Sequence, residues 1–160
     1  MQILYHPIGV IHSPFHDLEG MPIQPVGDRR TGGSVEVFPQ FSEGLQDLAG
    51  FSHLYLLFHL HMARFSSLTV TPFLDSEPRG LFATRAPNRP NPIGLSLVKL
   101  LAVEDNILTV ESLDVLDGTP LLDIKPYVPL FEETAEATIG WLEKAKGEIR
   151  SHTSDGRFLE

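Results

Sequence analysis

The stretch that decides the fold is Ser52-His53-Leu54-Tyr55-Leu56-Leu57-Phe58-His59-Leu60-His61-Met62, in which two kinds of position alternate strictly. A period of two residues is that of a β-strand with one buried face. The apolar face carries Leu54, Leu56, Phe58, Leu60 and Met62, and the half-polar face carries His53, Tyr55, Leu57, His59 and His61. We expect the apolar face to line a core.

Shorter apolar runs lie on both sides of this strand, separated by prolines, glycines and acidic turns. They cover residues 4–11, 34–38, 68–71, 81–84, 95–103, 107–113 and 121–126. The runs 95–103 and 107–113 predict a hairpin around Glu104-Asp105-Asn106, with a possible bulge near Val98. The pattern predicts a mainly β fold, a small antiparallel β-barrel.

Helical periodicity is confined to two places. Phe41, Leu45 and Leu48 recur at helical spacing before Gly50, which predicts one short helix. Ala135, Ile139 and Leu142 do the same, with glutamates before them and lysines after, which predicts a C-terminal helix ending at Gly147. We expect residues 1–147 to form one barrel domain and residues 148–160 to be a flexible tail.

The composition is that of a soluble globular protein of 160 residues, with 42% hydrophobic and 21% charged residues. No run approaches the roughly 18 apolar residues of a membrane helix, and the N-terminus does not resemble a signal peptide. Without cysteine, disulfides, thiolate nucleophiles and cysteine zinc sites are excluded. We therefore expect a cytoplasmic protein that does not contact a membrane.

The net charge of -9 argues against indiscriminate binding to nucleic acid, because neutralising phosphates needs clustered cations. Any RNA contact must be local. Arg79, Arg85 and Arg89 lie in one short stretch, and Arg29 and Arg30 lie in another.

The stretch from Gly80 to Gly94 contains Arg85-Ala86-Pro87-Asn88-Arg89-Pro90-Asn91-Pro92. Its three prolines fix φ and push the residue before each one out of the helical region, so the segment should run extended and stiff. In a polyproline-like path, Arg85, Asn88 and Asn91 would project from one side at intervals of roughly 9 Å, with Arg89 pointing elsewhere. This predicts a site; the alternative is a connection with solvated arginines.

Two further features point to chemistry. Residues 15–33 form a long loop without periodicity, whose apolar part at residues 21–26 favours a packed loop beside a site. His59 and His61 could ligate a metal, but no third ligand stands at a recognisable spacing, and hydrogen-bonded scaffold or substrate contacts are the commoner use of such histidines. We predict no metal site.

Near the end of the chain, Asp117-Gly118-Thr119-Pro120 predicts a tight turn. Asp123 and Lys125 follow on one face of the next strand, either as a structural ion pair or in a catalytic role. Neither a Gly-x-Gly-x-x-Gly motif, a phosphate loop nor a Gly-x-Ser-x-Gly motif is present, which excludes several common nucleotide enzymes and hydrolases.

The run Arg-Ala-Pro-Asn-Arg-Pro-Asn-Pro-Ile-Gly at residues 85–94 closely resembles the signature of the TsaA-like, or TrmO, family of tRNA methyltransferases. Supporting stretches resemble the family in the same order along residues 5–145. They are Pro7 to Pro14, Gln24-Pro25, Gly50 to Leu54, Asp117 to Pro120 and Asp123 to Tyr127.

This resemblance implies a small β-barrel enzyme that uses S-adenosylmethionine to methylate N6 of N6-threonylcarbamoyladenosine at position 37 of tRNA, beside the anticodon, and that forms homodimers. The cofactor contacts that it implies are Gln24, Pro25, Val26, His61, Met62, Arg85, Leu95, Asp117, Gly118, Thr119 and Pro120.

We hypothesise that Arg85 and Asp117 organise the cofactor while Arg89, Asn91 and Lys125 face the substrate. A guanidinium fork suits the threonyl carboxylate or a phosphate. Asp123, Tyr127 and His61 are candidates for a general base. Two alternatives remain open, a non-catalytic barrel that binds a cofactor or nucleotide, and a metal-dependent hydrolase using His59 and His61.

Overall fold

The computed structural model describes residues 1–17, 31–132, 134 and 136–145. In these ranges the strands are β1 Gly9–His12, β2 Gly32–Val37, β3 His53–His59, β4 Thr69–Val70, β5 Arg79–Gly80, β6 Ile93–Glu104, β7 Ile107–Glu111 and β8 Thr119–Pro126. The helical segments are a single α-helical turn, α1 Pro129–Glu132, and the 3-10 helices Pro39–Leu45, Leu48–Gly50, Leu81–Ala83 and Gly140–Ala145. None of these helices is long and apolar enough to cross a bilayer.

Six strands close into an antiparallel barrel in the order β1-β2-β7-β6-β3-β8, and β4 pairs with β5 outside it. The prediction of a small, mainly β antiparallel barrel is therefore confirmed. Strand β3 lies between β6 and β8, with Leu56 opposite Ser96 on one side and opposite Ile124 on the other. The strand that the alternation identified is thus hydrogen-bonded on both sides within the barrel wall.

The apolar face of β3 lines the core as expected. Leu54 and Leu56 are fully buried, Phe58 nearly so, and Leu60 packs against the same cluster. The strand ends at His59 and the alternation fails beyond Leu60, because the Leu60 N–H donates to Pro92 O at 2.7 Å and the His61 N–H folds back to His59 O at 2.8 Å. Met62, expected on the core face, is consequently 44% exposed.

The hairpin of β6 and β7 turns at Asp105, which adopts a positive φ of 53°. Its bulge lies between Leu100 and Ala102, slightly beyond the position expected near Val98. Asn106 connects this turn to β2, since its side-chain amide donates to Val37 O at 2.7 Å and its backbone carbonyl accepts from Val37 N at 2.9 Å.

Two predictions about strands were wrong. Residues 81–84 do not form a strand, because Leu81–Ala83 is a 3-10 turn whose Leu81 enters a small core with Val70 and Ala86. The first strand begins at Gly9 rather than near residue 4.

The two helical patterns are also shorter and tighter than expected. Asp47 takes a left-handed conformation (φ 64°) that separates the first two 3-10 helices, and Gly140 (φ 58°) begins the last one instead of lying inside a continuous helix. Residues 146–160, which include the predicted tail, lie outside the described residues.

Candidate functional site

One end of the barrel collects most of the predicted site residues. Here β1 and β3 end while β6 and β8 begin, as the pairs Ile11–Thr119 and His59–Ile93 show. We call this region the loop end; it consists of residues 13–17, 60–62, 84–92 and 114–118. Because the barrel fixes the strand ends, the attached loops are held close together.

The proline strap, residues 85–92, crosses the loop end on a small number of backbone hydrogen bonds. Asn88 O accepts from Ser67 N at 3.1 Å, and Pro92 O accepts from Leu60 N at 2.7 Å. Two hydrogen bonds between residues two apart, as in γ-turns, interrupt its extended path, and we call them the closures. They run from Arg89 N to Pro87 O and from Ile93 N to Asn91 O, each at 2.8 Å.

These closures overturn the expected row of side chains. Asn88 is only 2% exposed, whereas Arg85 and Asn91 are exposed, so the three do not project from one side. A regular three-residue repeat requires uniform backbone angles, which the closures do not allow. The Asn88 side-chain carbonyl has no hydrogen-bond donor in the described part of the chain.

Arg89 braces the strap that carries it. Its Nη1 donates to Thr84 O at 3.1 Å and to Ala86 O at 3.2 Å, and its guanidinium carbon lies 5.8 Å from the centre of the Phe82 ring. These contacts involve a single nitrogen of the five-donor fork. The side chain is therefore fixed in place while Nε and Nη2 can still donate.

The Asp117 turn joins the exit of β1 to the entry of β8. The Asp117 carboxylate accepts from Ser13 N at 3.1 Å, and the Nδ1 atoms of His12 and His16 lie 3.5 and 3.7 Å away. The Ser13 N–H is the main cause that lowers the pKa of Asp117, followed by the two histidines. Gly118, with φ 75°, makes the turn possible.

The same turn reaches the end of β3. Thr119 Oγ1 lies 3.4 Å from His61 Nδ1, and Thr119 is buried. The structure thus brings His61 together with the turn at residues 117–120, and exposed Met62 is adjacent in sequence to His61. Gln24, Pro25 and Val26, three further predicted cofactor residues, lie outside the described residues.

A second group of predicted residues lies on the outer face of β6, β3 and β8. A bulge at Leu57 and Phe58 sets the register, so that Leu57 is opposite both Leu95 and Asp123, while Tyr55 is opposite Lys125. Lys125 Nζ lies 2.8 Å from Asp123 Oδ2, the ion pair that the sequence allowed.

Tyr127 extends this outer face beyond β8. Its ring packs edge-on against Tyr55 and His53, with centroid distances of 5.8 and 6.2 Å. The Tyr55 hydroxyl donates to Glu132 at 3.3 Å. Burial is the main cause that raises the pKa of Tyr55, and the Glu132 carboxylate raises that pKa further.

Sequence reasoning missed a partly buried polar pair, Ser96 and Asp114. Ser96 Oγ donates to Asp114 Oδ1 at 2.5 Å. Burial raises the pKa of Asp114, whereas the Ser96 hydrogen bond and the positive charge of Arg85 oppose that rise. A signal was present, because Ser96 stands between Gly94 and Val98 on the inward face of an otherwise apolar strand.

Arg85 connects the two groups of residues. Burial raises the pKa of both Asp114, at the loop end, and Tyr55, on the outer face, and the positive charge of Arg85 opposes both rises. The candidate site therefore comprises the Asp117 turn, Arg85, and the ion pair of Asp123 and Lys125. Among the described residues, no group of three or more potential ligands is arranged to hold a metal ion.

The fold and the site together define the class of protein: a small closed antiparallel β-barrel with a strap and a turn gathered at one end. Residues 10–133 match the model of the tRNA-methyltransferase O N-terminal domain. The chain belongs to this family, which confirms the resemblance based on residues 85–94.

Similar proteins agree with this assignment. The chain is 52% identical over 159 residues to the "Probable S-adenosyl-L-methionine-binding protein" of Pyrococcus abyssi, covering 99% of this chain and 86% of that one. It is 37% identical over 151 residues to the tRNA (adenine(37)-N6)-methyltransferase of Escherichia coli, covering 88% of this chain and 64% of that one.

The fold agrees as well. The crystal structure of TrmO from Pseudomonas aeruginosa superposes with a TM-score of 0.74 and 40% sequence identity, covering 88% of this chain and 63% of that one. The chain thus spans less than two thirds of the length of that enzyme and of the Escherichia coli enzyme.

Proposed function

We propose that this chain is an S-adenosylmethionine-dependent methyltransferase that methylates N6 of N6-threonylcarbamoyladenosine at position 37 of tRNA. The observation that carries the proposal is the gathering of the strap, His61 and the Asp117 turn at one barrel end, in a family whose members are named as cofactor-binding proteins and tRNA methyltransferases. The threonylcarbamoyl group is the finer part of the proposal, and it is supported by the cationic side chains near the site.

The side chains at the site fit the chemistry of the cofactor. S-adenosylmethionine presents an amino acid group, a sugar and an adenine, and it supplies a methyl group bound to a positively charged sulfur. Asp117, held ionised by its Ser13 hydrogen bond, would accept hydrogen bonds from the sugar or ammonium group. Arg85 would bind the carboxylate, and exposed Met62 and Leu95 offer apolar surface for the adenine.

The substrate side lies towards Lys125 and the strap. Arg89 keeps Nε and Nη2 for a threonyl carboxylate or phosphate, because its Nη1 is bound to the strap backbone. Asn91 is exposed on the same strap and would hold the base or carbamoyl group through its amide. Positioning of the nitrogen supplies much of the acceleration in a transfer of this kind.

Removal of the proton from N6 falls to one of three candidates, two on the outer face and one at the loop end. Asp123 is bound to Lys125, and Tyr127 lies at the edge of the Tyr55 ring. His61 is the third candidate, at 3.4 Å from Thr119. Substituting Asp123, Tyr127 and His61 one at a time should lower kcat most for the residue that accepts the proton.

Nucleoside mass spectrometry tests the reaction directly. The full chain is incubated with S-adenosylmethionine and tRNA that carries threonylcarbamoyladenosine, and with the same tRNA lacking that modification. We expect one added methyl group on the modified nucleoside and none on unmodified adenosine. Absence of the methyl group on the modified tRNA would reject the assigned reaction.

A thermal shift experiment separates the alternatives. An increase in Tm with S-adenosylmethionine but not with zinc supports the methyltransferase, and the reverse supports a hydrolase using His59 and His61. Cofactor binding without turnover would support a non-catalytic barrel.

We further propose that the chain acts in the cytoplasm, as its composition indicates, and as a homodimer, as the resemblance implies. Ile93, at the start of β6, leaves 40% of its surface exposed, which offers apolar area to a second copy. Sedimentation equilibrium tests the dimer: a concentration-independent monomer mass would reject it.

A further inference from the structure

Positive charge is concentrated in one part of an acidic chain. Residues 61–92 contain four arginines and two acidic residues, whereas the whole chain carries a net charge of -9. One of these arginines, Arg79, is paired with Asp75 through Nε and Nη2 at 2.8 and 2.6 Å. The segment that includes the strap is therefore the positively charged part of an otherwise acidic chain.

Phe82 is the most exposed aromatic side chain in this segment, at 75%. The 3-10 turn explains its exposure, because Leu81 enters the small core with Val70 and Ala86 and the next residue faces outwards. The turn is closed by Thr84, whose N–H and hydroxyl both donate to Leu81 O, at 3.0 and 2.8 Å. The exposed ring is thus carried on a well-anchored turn.

The exposed ring is paired with a fixed cation. Arg89 lies 5.8 Å from the centre of the Phe82 ring while its Nη1 is held by two backbone carbonyls. An aromatic ring next to an arginine whose other donors remain usable presents a stacking surface and a phosphate contact together.

Further exposed apolar side chains lie on the segment that runs beside this turn. The Leu81 N–H donates to Leu68 O at 3.0 Å, and Ser67 N donates to Asn88 O at 3.1 Å, so residues 65–68 run beside the turn and the strap. Leu68 is 67% exposed and Phe65 is 44% exposed. Together, Phe65, Leu68, Phe82 and Arg89 form what we call the Phe82 platform.

We propose that the Phe82 platform binds an unpaired RNA nucleotide next to the methylated one, with its base stacked on Phe82 and its phosphate bound by Arg89. The inference rests on the proposed function and deepens it by assigning a surface to the RNA. Charge favours this occupant, since exposed arginines attract phosphates and weaken docking of an uncharged apolar surface. Stacking on an aromatic ring accepts any base, so the platform holds the strand without reading its sequence.

The platform also has a suitable position. Arg89 and Asn91 belong to the same strap, and Phe82 precedes Arg85 by three residues. Because the Arg89 guanidinium lies 5.8 Å from the centre of the Phe82 ring, a nucleotide stacked on Phe82 would lie next to the one held by the strap. Such a neighbour exists on each side of position 37 in an unpaired anticodon loop.

Three full-length variants test the platform. Phe82→Ala removes the ring, Phe82→Trp restores a stacking surface, and Phe51→Ala is the matched control, an exposed phenylalanine next to the start of β3, at the far end from the strap. Affinity is measured for tRNA and for a single-stranded RNA heptamer. We expect Phe82→Ala to weaken both by roughly 5- to 100-fold, and Phe82→Trp and Phe51→Ala to bind as the original chain does.

Parallel measurements keep this test separate from the proposed function. S-adenosylmethionine affinity and Tm should be unchanged in Phe82→Ala, because the ring is exposed and makes no part of the cofactor site. Loss of RNA affinity with unchanged cofactor affinity supports the platform, even where the original chain fails to methylate the tRNA and the proposed reaction is rejected.

Two results would overturn the platform. One is that the original chain methylates the tRNA while Phe82→Ala binds RNA as tightly as the original chain does. The other is a Phe82→Ala protein that loses self-association and keeps its RNA affinity, which would make the surface an interface between copies of this chain.

Discussion

The barrel wall and the proline strap achieve rigidity in different ways. In the wall, β3 is bound on both sides by β6 and β8, and its inward leucines are fully buried. The strap has few backbone hydrogen bonds and depends on individual contacts, chiefly those of Arg89 and the buried Asn88. In the wall, the cost of a substitution should therefore follow how deeply the side chain is buried. In the strap, it should depend on single polar groups.

The largest stability effect is expected in the wall. Leu56→Ala should lower the free energy of unfolding by about 2–5 kcal/mol, because a fully buried side chain is removed and the close-packed barrel cannot collapse around the cavity. Urea denaturation measures the loss. Leu101→Ala, at an exposed position of β6, is the control and should change stability by no more than about 0.5 kcal/mol. Equal losses in both would contradict the assigned inward face.

The joint between wall and strap should be nearly as sensitive. A Cβ added at Gly94 would collide with the Phe58 ring, which packs directly over the glycine. Gly94→Ala should cost about 1–3 kcal/mol, since the ring must leave its position in the core. Gly80→Ala is the control, because nothing stands within 4 Å of the added atom. Thermal unfolding of both variants checks the difference.

A single guanidinium should matter most in the strap. Arg89→Ala should lower kcat/KM for tRNA methylation by roughly 10- to 100-fold, in line with the loss of a hydrogen bond to a charged group. Affinity for S-adenosylmethionine should stay nearly intact. Arg89→Lys keeps the charge but not the fork and should recover little activity. Isothermal titration and steady-state kinetics separate the two effects; equal loss of both would reject the division between cofactor and substrate sides.

The smallest effect, and the most specific, concerns pH. Because burial raises the pKa of Asp114 above its unfolded value, its contribution to stability is fully present below that value, near pH 3.8, and is lost as the pH rises through the folded pKa. Asp114→Asn keeps an acceptor for Ser96 without the charge. The variant should therefore be the more stable protein at pH 7, with an advantage that disappears towards pH 3.

The opposite sign is expected at the Asp117 turn. The pKa of Asp117 is lowered, so its contribution is present above pH 3.8 and is lost as the pH falls through the folded pKa. Asp117→Asn should therefore be slightly less stable than the original chain at pH 7, and the two should converge in acid. Denaturation curves for both variants between pH 3 and 7 give the comparison, and a common sign would refute it.

The same contrast explains how much could be predicted from the sequence. The alternation at residues 52–62 identified the inward face of β3, because a period of two leaves a single choice of buried side. The ion pair of Asp123 and Lys125 followed from the same rule. Their joint position on the outer face depends on the bulge at Leu57 and Phe58, which no local pattern marks.

The position of the strap in the chain was predicted, but its backbone conformation was not. Its prolines indicated an extended path, yet the closures at Pro87 and Asn91 depend on long-range partners such as Ser67 and Leu60. The burial of Asn88 and the bracing role of Arg89 therefore had no sequence signal. Ser96 did have one, since a hydroxyl on an apolar strand face needs a partner, but its partner Asp114 stands outside any strand.

The contact between Trp141 and the 3-10 turn lets tryptophan fluorescence report on the strap region. Trp141 is the only tryptophan in the sequence, and its indole N–H donates to Ala83 O at 2.8 Å while Arg79 lies 5.8 Å from its ring centre. Indole fluorescence depends on hydrogen bonding and nearby charge. The emission of the unlabelled chain is therefore a natural reporter of the Phe82 turn, and it can follow cofactor and RNA binding in real time.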